Sequence, residues 1–216
     1  MYVRSPWLSL FYKVCVFVFG AWIFADCTGF LSGRPDYKAF FYFTNLSNLL
    51  CLLFFFGAIV CQTVRLPRFA PFLPRVKGGV VMCILLTMVG YHVFFGGYHG
   101  PLSDKTLHYY IPLLTFLDWL LFDRKGTLRP QDPLWWTAFP FAYIVFIMFR
   151  AKYGRAVLSA GRFPYYFINA DRLGWEAVSR TCLMVFIAFI TASYLFFLLD
   201  RMLGKVADRR KRKPSE

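Results

Sequence analysis

Charge is what this chain has least of. Charged residues make up 17% of its 216 residues, against roughly 25% in a soluble domain, and that shortfall excludes an ordinary soluble domain. The six cysteines form no C-x-x-C pair and show no metal-ligand spacing, so they are read as small apolar packing residues rather than a redox motif or a metal centre. No cleavable leader is expected, because the first apolar stretch is too long for an h-region of roughly 7–15 residues and lacks an A-x-A-like exit. Internal repeats are missing. So are paired half-helices with Gly/Pro breaks, which counts against a transporter.

Apolar residues are abundant instead: the chain is 58% hydrophobic and 21% aromatic, with 27 phenylalanines. A bilayer core needs about 20 largely apolar residues in a helix. The runs Leu8–Leu31, Phe40–Thr63, Gly79–Gly97 and Val178–Leu199 meet that length, and two shorter runs, Leu107–Phe122 and Leu134–Phe149, lie at its lower end. The pattern predicts an all-α polytopic membrane protein. Its expected architecture is a six-transmembrane-helix bundle over residues 1–203, followed by a basic tail over 204–216.

The basic residues set the expected orientation. With six spans the termini share a face. That face carries two basic residues near the N-terminus, four between Arg65 and Lys77, three between Arg124 and Arg129 and seven from Arg201 to Lys213, sixteen of the 25 in the chain. The bias predicts cytoplasmic N and C termini and places the protein in the cell (inner) membrane. The formal charge of +14 is read the same way. Basic loops and tails beside spans attract anionic headgroups, and no nucleic-acid fold accompanies the run Arg209-Arg210-Lys211-Arg212-Lys213, so membrane lipids and not nucleic acids are the expected partners.

Within the second apolar run stands Thr44-Asn45-Leu46-Ser47-Asn48. Hydroxyls and amides are costly in hydrocarbon unless they find partners, so this cluster points to a site or an internal network. Thr44, Ser47 and Asn48 are related by helical spacing, with Asn45 at the flank. Counting from Phe40, Thr44 is expected roughly 6 Å below the outer boundary. Asp26, His92, His99 and Arg150 lie at the ends of other runs at the same level and His108 begins one, and ionisable residues in spans are functional candidates by default. Asp118 lies ten residues of helix from His108, about 15 Å; it is read as structural, satisfied by Lys13, Arg124 or a backbone donor. No metal and no cofactor is expected from this set. The long segment 150–177, rich in aromatics, is read as an interfacial connector or a lid.

The strings Phe41-Tyr42-Phe43-Thr44-Asn45-Leu46-Ser47-Asn48, Leu107-His108-Tyr109-Tyr110-Ile111-Pro112-Leu113-Leu114 and Leu117-Asp118-Trp119-Leu120-Leu121-Phe122 resemble the prokaryotic six-span relatives of the androgen-induced-gene membrane protein family. Phe163-Pro164-Tyr165-Tyr166-Phe167-Ile168-Asn169 resembles a proline- and tyrosine-rich stretch of that family, and Asn169 stands where an acidic residue is expected, so no role is carried onto it. Eukaryotic members hydrolyse fatty acid esters of hydroxy fatty acids with a threonine and a histidine. The resemblance implies a nucleophile at Thr44 and its partner at His108. A threonine hydroxyl needs such a base, while Asn45, Ser47 or Asn48 could donate to an oxyanion. Asp26 could orient a histidine, and His92 and Arg150 complete the expected substrate-binding set. The alternatives are a membrane protein that binds or transports a lipid or small solute without cleaving it, and a membrane scaffold.

Overall fold

The computed structural model describes residues 3, 5–64, 73–97, 100–154, 158 and 161–212, the last three of these by main chain alone. His99, the loop 65–72 and the end of the basic tail lie outside them. Regular structure among the described residues is helical, apart from a lone bridge between Leu158 and Gly161. The helices are α1 (Pro6–Cys27), α2 (Phe43–Val64), α3 (Leu73–Phe95), α4 (Leu102–Lys105), α5 (Ile111–Phe122), α6 (Asp132–Trp136), α7 (Ala138–Tyr153) and α8 (Ala170–Arg212). Five helical segments are long and apolar enough to cross a membrane: α1, α2, α3, the run Asp132–Tyr153 made by α6 and α7, and α8.

Local chemistry fixes where these helices start and stop. Ser5 caps α1 by accepting from the Leu8 amide at 3.3 Å, with Pro6 in the first turn, a position that suits its missing N–H. The helix ends at Cys27, short of the Leu31 expected from hydropathy. There Thr28 Oγ1 donates to the Phe24 carbonyl at 2.6 Å. Gly29 then turns the chain with φ +76°, where a Cβ would stand 2.3 Å from the Arg34 oxygen. In contrast, α3 starts at Leu73, six residues before the Gly79 expected from hydropathy, and so takes Arg75 and Lys77 into the helix. Both cations find carboxylates, which makes their inclusion tolerable.

Residues Leu102 to Phe122 run as one helical path through α4, a π turn over Thr106–Tyr110, and α5. The π turn sits just before Pro112. Proline offers no N–H to the carbonyl four residues back, which is that of His108. The wider turn moves the register by one residue, and the Ile111 amide bonds Thr106 O.

The bundle is arranged with apolar residues outward. On α1, Trp7, Phe11, Val18 and Trp22 are 79%, 67%, 57% and 65% exposed, while Lys13 on the opposite side is buried. Inside one end of the bundle, fully buried Asp118 pairs with Lys13 at 3.1 Å and with Lys77. Lys77 also meets Asp123 at 2.7 Å. Arg124, one of the expected partners of Asp118, makes no such pair, and Lys77 takes its place. Arg75 holds Asp132 through Nε at 2.8 Å and Nη2 at 2.6 Å. Asp200 on α8 accepts from the amides of Gly126, Thr127 and Leu128 at 2.9, 3.1 and 3.3 Å, tying the loop after α5 to the last helix. Lys125 in that loop donates to the Trp119 carbonyl and lies 4.1 Å over its ring. Burial pushes the Lys125 ammonium down to about 8, and burial pushes the Asp123 carboxyl up.

Close helix contacts surround this layer. A Cβ on Gly78 or Gly79 would stand 2.4 or 2.7 Å from the Trp136 ring, so α3 and α6 meet there only with glycine. Trp136 Nε1 donates to Arg75 O at 2.9 Å, and Trp119 packs on Phe196 with centroids 4.4 Å apart. This end is closed by packing. The open space lies at the other.

Candidate active site

Thr44 sits in the first turn of α2, not a full turn inside it. The preceding residues Tyr37–Phe41 form a 3-10 turn capped by Asp36, and Tyr42 is extended, with φ −92° and ψ 132°. This break delays the helix by three residues from the start expected at Phe40. It leaves Thr44 at the edge of a cavity of about 700 Å³.

His108 reaches Thr44 from the π turn. Its Nε2 lies 3.1 Å from Thr44 Oγ1. Its Nδ1 lies 2.9 Å from the Asp104 backbone oxygen and 3.1 Å from Asp104 Oδ1. Both partners at Nδ1 can only accept, which assigns a proton there. In the neutral ring Nε2 is then an acceptor facing the threonine hydroxyl. Tyr91 completes the support: its ring stacks on the imidazole with centroids 3.9 Å apart, and its hydroxyl donates to Asp104 Oδ2 at 2.5 Å.

The other polar residues of the Thr44 cluster face different ways. Asn45 lines the cavity, but its Nδ2 is committed to Ala39 O at 2.9 Å. Ser47 shares a 2.6 Å hydrogen bond with Thr87 and donates to Thr44 O at 3.0 Å. Asn48 donates to Thr44 O at 2.8 Å and to Leu107 O at 3.1 Å. Ser47 and Asn48 are buried behind the threonine and fasten α2 to α3 and to the π turn. Neither lines the cavity. The Asn48 amide and the Ser47 hydroxyl hold helices together, a different task from the oxyanion contact expected of them.

Three more expected residues stand apart from Thr44 and His108. Asp26 is exposed at the end of α1, and the acid that meets His108 is Asp104. His92 faces Tyr109 at 3.4 Å and is exposed. Arg150 lies 4.0 Å over the Phe41 ring and donates to Arg162 O at 2.6 Å. None of the three lines the cavity. Among the described residues no group of three or more His, Cys, Asp or Glu side chains is placed to hold a metal.

Sequence reasoning missed three residues here: Asp104, Tyr91 and Tyr165. The Tyr165 hydroxyl accepts from the Thr44 amide at 3.4 Å, and its half-buried ring packs edge-on to Tyr42 and flat on Phe167. Burial pushes the Tyr165 hydroxyl up from its ordinary value, so it keeps its proton and remains a donor. With Pro164, Phe167 and Ile168 it forms part of the cavity wall. That stretch is pinned to α3, where Tyr166 donates to Phe94 O at 2.6 Å and Phe167 stacks on Phe94 at 4.0 Å. The stretch 164–168 therefore roofs the cavity.

The arrangement is that of a hydroxyl with a base on it, an acid behind the base, a second hydroxyl beside it, and an apolar chamber beyond. No family model, no curated protein and no solved structure matches the chain.

Proposed function

We propose that this protein is an intramembrane hydrolase of fatty acyl esters, with Thr44 as nucleophile and His108 as general base. The observation that carries the reading is the 3.1 Å contact between Thr44 Oγ1 and the acceptor nitrogen of a histidine whose other nitrogen is held by Asp104. It agrees with the activity implied by the resemblance to the androgen-induced-gene family.

Thr44 Oγ attacks the ester carbonyl as its proton passes to His108 Nε2. Asp104 steadies the imidazolium that forms. The carbonyl oxygen becomes an oxyanion, for which the Tyr165 hydroxyl is the donor beside Thr44. Collapse breaks the bond to the alkoxy group, which takes the proton back from Nε2 and leaves an acyl-threonine. Water then attacks, gives its proton to His108, and releases the fatty acid as the proton returns to Thr44.

On this reading the helical path 102–122 is a sixth crossing beside the five long apolar segments, because its 21 residues meet the required span. The basic bias then puts both termini in the cytoplasm of an inner-membrane protein and the site at the outer leaflet, at the level of lipid ester carbonyls. The apolar chamber would equally serve a protein that holds a lipid without cutting it, and the same experiment separates the two. A fluorophosphonate probe is expected to label the purified protein, and Thr44→Ala and His108→Ala to abolish labelling. Labelling of Thr44→Ala at the wild-type level would remove the nucleophile, and a wild type that never labels favours the binding protein.

A further inference from the structure

The cavity is far deeper than the chemistry at Thr44 requires. From the level of His108 and Asp104 it continues between α7 and α8, past Ile144 and Val185, to Phe186 and Phe189. Along α8 the nine residues from Thr181 to Phe189 span about 12 Å. Apart from the Thr181 hydroxyl and the Cys182 thiol, the α8 side of this slot is aliphatic or aromatic, which fits a hydrocarbon chain and nothing more polar.

The two approaches to this space differ. Over its top lies the roof formed by Pro164, Tyr165 and Phe167, fastened to α3 by the Tyr166–Phe94 bond and the Phe167–Phe94 stack. At its side stands Phe141, which lines the cavity and is also 56% exposed on the outer apolar surface of α7. Across the seam its ring faces Phe186 of α8 at 6.3 Å. These two rings stand at the seam between the slot and the outer apolar surface.

We infer that the slot between α7 and α8 receives the acyl chain of a membrane lipid, which enters sideways from the bilayer through the Phe141–Phe186 seam and lies with its methyl end toward Phe189. The inference rests on the ester-hydrolase reading for the position of the carbonyl, and on the cavity alone for the position of the chain. It specifies the substrate class: an ester whose acyl part is long, unbranched and already dissolved in the membrane. A water-borne short ester would have no use for the slot.

The test places the Thr44→Ala protein, which cannot turn over an ester, in lipid vesicles containing a long-chain ethyl ester with a photoreactive diazirine at its methyl end. Peptide mapping after illumination is expected to find the label on Val185, Phe186 or Phe189, and Val185→Trp to reduce it at least fivefold. The smaller change Ile144→Phe gives a second reading if the tryptophan variant does not fold. A bulky control on the outer surface, Val89→Trp, leaves the label in place. Label confined to the lipid-facing residues Leu183 and Ile187 would overturn the slot. Phe141→Ala, which opens the seam, is expected to speed labelling several-fold, whereas Tyr166→Ala, which loosens the roof, is not; the reverse pattern overturns lateral entry. The readout is separable from catalysis. Slot labelling in a wild type that hydrolyses nothing leaves the slot standing and ends the hydrolase reading, and hydrolysis without slot labelling does the opposite.

Discussion

The Tyr91 ring lies against the His108 imidazole with planes 25° apart and centroids 3.9 Å apart. One side chain thus supports the base from its face, and through its hydroxyl it also supports the acid behind that base, at 2.5 Å. The two functions can be separated. Tyr91→Phe keeps the stack and frees one oxygen of Asp104, and is expected to cost less than tenfold in ester hydrolysis. Asp104→Asn removes the charge that steadies the imidazolium and is expected to cost about 10²–10⁴-fold in kcat, on the scale of positioned acid–base groups. The kcat values of the two variants, each compared with wild type, check this order.

Tyr165→Phe removes a hydroxyl and little else. Loss of one oxyanion donor typically lowers kcat by about 10²–10³-fold, and that is the expected effect here, with KM nearly unchanged. A KM rise at constant kcat would instead show that Tyr165 only shapes the cavity.

At the other end of the bundle, Lys77→Met leaves the buried Asp118 with one cation in place of two. Removing one partner of a buried pair costs roughly 3–5 kcal/mol, read as a lowered thermal midpoint in detergent. The triple change Lys13→Met, Lys77→Met and Asp118→Leu removes these buried charges together and is expected to recover most of that loss. Both proteins should retain probe labelling at Thr44, since the charge layer and the site share no side chain.

Lys125 gives a pH signature. In the unfolded chain its ammonium holds a proton to about 10.5, whereas in the fold burial brings it to about 8. Between these values the unfolded state binds more protons, so stability rises with pH across that window. The penalty for the buried charge is fully present below it. Thermal midpoints measured from about pH 7 to 10 are expected to climb in wild type and to lose that climb in Lys125→Met.

Much of the architecture is legible in the sequence because lipid imposes a length rule that hydropathy reports directly. Helix ends are less legible, and the reason is local. The start of α3 is hidden by Arg75 and Lys77, which hydropathy treats as span breakers; only their carboxylates on α5, its following loop and α6 make them helix residues. The nucleophile and base stand out as polar side chains in apolar runs. Asp104 does not, since it precedes the apolar run, yet two signals mark it: Pro101 at a helix start, and a four-residue spacing to His108 that puts both on one face. Tyr165 carries no such signal. Its contact with Thr44 spans 121 positions, and no periodicity encodes a pairing of that range. Ser47 and Asn48 show the opposite limit: composition finds them, but cannot tell a hydrogen bond into a cavity from one between helices.

The π turn over Thr106–Tyr110 bears on how this protein could be switched off. One extra residue in a helical turn rotates the residues before it by about 100° relative to the residues after it. The turn is thus a phase shifter between α5 and the part of the helical path that carries Asp104 and His108. Excising Tyr109 or Tyr110 would leave the contacts of Ile111–Phe122 with their neighbours intact and swing the histidine, together with its acid, off Thr44. The protein would keep its shape and lose its aim.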